Sequence, residues 1–136
     1  MLKPTLMVVS ILVILGSLTS PASAASRVVA QASNKVPQGS VYLSGNLKAG
    51  HSYRIDVTAQ GHQPFHGIGF QYLVYVENGR LNSDNKPIQL AGTTPHSFSV
   101  KQPVSKGVSQ WALTVNVQLT SGRGLNVRFV DMGRAK

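Results

Sequence analysis

The sequence contains no cysteine. That excludes disulfide staples, thiolate nucleophiles, blue-copper and zinc–thiolate centres, and iron–sulfur clusters. Acidic residues are nearly as scarce, with 4 Asp and Glu against 13 Lys and Arg in 136 residues. The four are Asp56, Glu77, Asp84 and Asp131. A glycosidase needs two carboxylates facing each other across a cleft, and these four are expected instead as solvated side chains on a strand face, at turns and near the chain end. The chain also lacks a G-x-S-x-G elbow, an H-E-x-x-H motif and a phosphate-cradling glycine loop. "NSDNK" at 82–86 offers Asn82 and Asp84 toward calcium, but Lys86 stands where a third oxygen is needed, so it is read as a polar turn. Aromatic residues make up 7% of the chain, and fewer are interleaved with the basic ones than a single-stranded nucleic acid ligand would want. These absences point to a protein that binds rather than catalyses.

What is present begins with an export signal. "MLKPTLMVVSILVILGSLTSPASAAS" places one Lys before a short apolar run and ends in Ala22-Ser23-Ala24, the three-part layout of a secretory signal peptide cut after Ala24. The apolar run is shorter than the roughly 20 residues that span a bilayer, so no stable membrane span is expected after processing. No Cys follows the cut, which excludes a lipoprotein anchor. Export without cysteine, and without any N-x-S/T acceptor, fits a bacterial protein secreted or held in the periplasm. Residues 25–136 carry 12 basic and 4 acidic side chains, a net charge of +8. Such a domain is expected to associate with polyanions.

Residues 25–39 are small and polar and read as a flexible N-terminal arm or, at most, an edge strand, ahead of a single domain over 40–136. From there the chain alternates with period two. Tyr53, Ile55 and Val57 share one face; Ile68, Phe70, Tyr72, Val74 and Val76 share another, taken as core-facing. Trp111, Leu113, Val115, Val117 and Leu119 alternate with Ala112, Thr114, Asn116, Gln118 and Thr120. Leu125, Val127 and Phe129 alternate with Asn126, Arg128 and Val130. This periodicity predicts half-buried antiparallel strands near 40–45, 51–60, 68–77, 80–90, 96–102, 109–120 and 125–132. Asn78-Gly79 marks a two-residue hairpin, and "SGRG" at 121–124 joins the last two strands. The expected fold is all-β, a single antiparallel β-sandwich of about seven strands, immunoglobulin-like or jelly-roll in type. "SGNLKAGHSYRIDVTA" resembles a phrase common in secreted bacterial β-sandwich modules, which implies that fold and no functional residue.

Three surfaces are candidates for function. Lys48, Arg80, Lys86 and Lys106 fall near one pole of such a sandwich and are expected to bind anions. Tyr42 and Tyr75, opposite in parity to their core-facing neighbours, join Asn116 and Arg128 as expected carbohydrate contacts. His62 and His66 flank Pro64, which disfavours helix at Gln63, so they must act from a loop. If each strand crosses the sandwich once, His96 joins them at one pole and His51 lies at the other. Three imidazoles would suit copper or zinc; the simpler expectation is loop histidines without a cofactor. The sequence thus points to a secreted binding protein of the cell envelope whose partner is an anionic or carbohydrate polymer. A periplasmic metal-binding protein and a self-assembling surface or matrix subunit are the alternatives.

Overall fold

The computed structural model describes residues 26–34, 40–104 and 107–135. The expected signal peptide over 1–24, Lys106 and Lys136 lie outside the described residues.

Eight strands follow one another: β1 (Arg27–Ser33), β2 (Ser40–Leu47), β3 (His51–Thr58), β4 (Pro64–Glu77), β5 (Arg80–Thr93), β6 (His96–Val100), β7 (Val108–Leu119) and β8 (Asn126–Arg134). They form two four-stranded antiparallel sheets, in the orders β1-β8-β3-β6 and β2-β7-β4-β5. The fold is the expected all-β sandwich, with eight strands in place of seven. The additional strand is β1, inside the segment expected as a flexible arm. Arg27 pairs with Asp131 and Ser33 with Asn126, so β1 forms the edge of its sheet.

The core lies between the sheets. The alternation in β7 faces Trp111, Leu113, Val115 and Val117 inward, each 0% exposed. From the facing sheet come Ile55 and Val57 of β3, and Leu125, Val127 and Phe129 on and just before β8. The Trp111 indole meets the Tyr53 ring edge-on at 5.2 Å between centroids. The β4–β5 hairpin closes at Asn78 and Gly79, whose φ values of 53° and 73° match the tight turn expected there.

The face of β4 is the opposite of the one expected. Phe65, Leu73 and Tyr75 turn inward, whereas Ile68, Phe70, Tyr72 and Val76 are 40%, 42%, 41% and 49% exposed. Two glycines explain the reversal. Gly67 and Gly69 hold inward positions against β7, where a Cβ at Gly67 would collide with the Asn116 carbonyl and one at Gly69 would sit 2.8 Å from Val115 Cγ1. Hydrophobic counting gives glycine no weight, so the inward parity looks poor in apolar residues. Pairing of Phe65 with Leu119 and Leu73 with Trp111 sets the register, and a one-residue slip would turn the whole strand over.

Loops at each end tie the sheets together. At one pole Gln60 N donates to Arg123 O at 3.2 Å, Thr94 N to Gln63 O at 2.9 Å and Thr120 N to Pro64 O at 3.1 Å. The 59–63, 93–95 and 120–124 loops therefore do share an end. At the other pole Ala135 N donates to Gly50 O at 2.9 Å.

Candidate functional site

The outer face of the β2-β7-β4-β5 sheet is built from cross-strand rows. One row holds Tyr42, Asn116, Ile68 and Gln89; the next Ser44, Thr114, Phe70 and Pro87; the third Asn46, Ala112, Tyr72 and Asn85. A fourth row, Ser40, Gln118, His66 and Ala91, closes one end. None of these outward positions is Asp, Glu, Lys or Arg, in a chain with 13 basic residues. Tyr42 is 66% exposed. A shallow depression of about 270 Å³ lies among His66, Gly67, Ile68, Asn116 and Gln118. The side-chain oxygen of Asn116, one of its lining residues, is buried and has no hydrogen-bond partner among the described residues. The surface therefore combines flat rings, aliphatic area and amide groups, and carries no fixed charge.

Of the expected carbohydrate contacts, Tyr42 and Asn116 are directly paired here. Tyr75 is not: it is half-buried and packs against the core. Arg128 belongs to the other sheet. The rings that do line this face, Phe70 and Tyr72, were expected inside. The signal that finds them is the pair of glycines at 67 and 69, which fixes the parity of the strand.

The expected anion set is dispersed. Lys48 follows β2 at one edge of the sheet, while Arg80 and Lys86 lie on β5 at the other. With β7 and β4 between them, those edges stand about 14 Å apart. Lys106 lies outside the described residues.

The three histidines stand on three different elements. His62, in the 59–63 loop, donates from Nδ1 to the Thr94 carbonyl at 3.0 Å. His66 stands on the outer face of β4, and His96 on β6 packs its ring at 4.6 Å from that of Phe98. Among the described residues, no group of three or more His, Cys, Asp or Glu side chains is placed to hold a metal ion. His51 lies at the other pole, as expected, with Nδ1 2.9 Å from Asp131 Oδ1.

The outer face of the β1-β8-β3-β6 sheet has a different character. Gln31, Arg128, Asp56 and Ser97 form one row across its four strands. Asp56 was expected to be solvated, but it is 5% exposed. Its Oδ1 accepts from Arg54 Nε at 2.6 Å and Ser97 Oγ at 2.7 Å. Its Oδ2 accepts from Arg54 Nη2 at 2.9 Å and Arg128 Nη2 at 3.4 Å. Burial pushes this carboxyl up. The Arg54 hydrogen bonds, the Ser97 hydroxyl and the charges of Arg54 and Arg128 outweigh burial and hold it below the ordinary carboxylate range. Asp56, Thr58, Pro95, His96, Ser97 and Arg128 line a depression of about 420 Å³.

Fold and surface define an exposed-sheet β-sandwich with one uncharged, ring-bearing face. The chain matches no family model, no curated protein and no solved structure.

Proposed function

We propose that the chain is a non-catalytic binding module exported to the cell envelope, and that the outer face of the β2-β7-β4-β5 sheet lies against a carbohydrate polymer. One observation carries this reading: that face presents Tyr42, Ile68, Phe70 and Tyr72 beside Asn116, Gln118 and Gln89, with no charged residue in its rows. Sugar rings expose apolar C–H faces that pack on aromatic rings, and hydroxyls that exchange hydrogen bonds with amides. A flat sheet suits an extended chain, and the lack of formal charge favours a neutral glycan over an acidic one. The export signal expected over residues 1–24 fits a partner outside the cytoplasm.

Co-sedimentation with insoluble neutral polysaccharides tests the reading. Binding is expected to survive 1 M NaCl and to fall about tenfold or more in Tyr42→Ala, Phe70→Ala and Tyr72→Ala, since losing a packed ring costs on the order of 1.4 kcal/mol or more. Binding that salt abolishes, or that all three variants retain, contradicts it.

A second reading rests on the length of the apolar strip. It continues past the amide rows to Val76 and Leu81, 49% and 72% exposed. Two copies meeting face to face would cover it, as in a self-assembling surface subunit. Light scattering separates the two: a mass that doubles with concentration, and reverts in Phe70→Ser, selects assembly.

A further inference from the structure

We infer that the depression beside Arg128, on the sheet opposite the ring-bearing face, is an oxyanion site that takes a carboxylate, sulfate or phosphate group. This does not depend on the sugar-binding reading, since it involves neither that sheet nor its residues.

The count of donors and acceptors leads there. An ionised carboxylate offers about four lone-pair positions. All four on Asp56 are taken, by Arg54 twice, by Ser97 and by Arg128. Asp56 therefore has nothing left to offer a cation. Arg54 engages it through two parallel N–H donors, the strong form of this pair. Arg128 is the surplus: two guanidinium groups face one carboxylate. Among the described residues its guanidinium makes one hydrogen bond, the long one at 3.4 Å, out of five N–H donors. Its Nε is buried and has no partner among the described residues. A planar guanidinium with free donors matches the oxygens of a carboxylate or sulfate. Thr58 brings a hydroxyl to the same depression, while the Ser97 hydroxyl proton is already given to Asp56. Pro95 supplies an apolar wall for a small carbon skeleton.

The test is ¹⁵N NMR of the full chain, titrated at constant ionic strength with sodium sulfate, inorganic phosphate and glucuronate. The Arg128 Nε–Hε signal should shift saturably, and Arg128→Gln should abolish the accompanying shifts of Thr58 and Ser97 amides. Asp56→Asn removes the competing carboxylate and should tighten binding several-fold, whereas Glu77→Gln, the same charge change at the β4–β5 hairpin, should leave it unchanged. Should Asp56→Asn not fold, Arg134→Gln replaces it as the comparison: it removes the same charge as Arg128→Gln and should titrate like the wild type. A response to glucuronate alone assigns a carboxylated sugar, and a response to all three assigns oxyanions in general. No saturable response, or equal effects of the paired variants, means diffuse attraction to a basic protein and overturns the site.

Discussion

Asp56 and Asp131 are both 5% exposed, and each is held by different partners. Asp131 accepts from the Gly133 amide at 2.8 Å and contacts His51 Nδ1 at 2.9 and 3.0 Å. Burial pushes the Asp131 carboxyl up, but the His51 and Gly133 hydrogen bonds and the charges of His51 and Arg27 bring it below its ordinary value, as happens at Asp56. A depressed carboxyl binds its proton less readily in the folded chain than in the unfolded one. Its contribution is therefore complete above the unfolded pKa of about 3.9, and is lost as pH falls through the lower folded value. The thermal midpoint of the wild type should drop as pH is lowered from about 4 to 2. Asp56→Asn and Asp131→Asn should each lower the midpoint near neutrality and flatten that acid slope. Midpoints that track the wild type in parallel across the range would show that these pairs add nothing. The sequence does reveal that Arg54 and Asp56, two apart on a strand, share a face. It does not reveal Ser97 and Arg128, which are 41 and 72 residues away and reach Asp56 only through strand pairing.

At the scale of the strand, β7 and β4 differ in how plainly they read. In β7 every inward position is large and apolar and every outward one small or polar, so parity and burial follow directly from the sequence. In β4 both faces carry large apolar side chains, and the inward face is diluted by Gly67, Gly69 and Gln71. The candidate site was hidden by the same ambiguity, because its rings sit on the face that counting assigned to the core. Truncation measures the parity. Leu73, 3% exposed, should lose about 2–5 kcal/mol as Leu73→Ala. Phe70→Ala, on the open side, should cost less than about 1 kcal/mol. Gly67→Ala forces a methyl group against the β7 backbone and should cost about 1–3 kcal/mol. Chemical denaturation reads all three, and a larger loss at Phe70 than at Leu73 would reverse the face assigned to the strand.

Over the whole molecule, the two sheets meet around Trp111, which is 0% exposed and touches Tyr53 across the sandwich. Trp111→Ala should cost about 3–5 kcal/mol, a large part of the stability of an ordinary domain. The wild-type emission maximum should be that of an indole shielded from water and move to longer wavelength on unfolding; a water-like maximum in the native state contradicts the packing. Strand counting recovered the sharing of poles by loops but not the histidine cluster, because His66 and His96 are carried on strands of different sheets, and His66 stands on the outer face of its own. The strand order has one more consequence, for the time course of folding. β8 is the last of the described strands, yet it sits inside its sheet between β1 and β3. Until residues 126–134 arrive, β1 has no neighbour, β3 has a bare edge, and the core lacks Val127 and Phe129. Such a chain cannot fold piecemeal from its N-terminus. The β1-β8-β3-β6 sheet is expected to close late, by pairing β1 with β8, at the slow rates of folds dominated by distant contacts. A sheet that stays open until residues 126–134 have emerged leaves the edges of β1 and β3 unpaired for all that time.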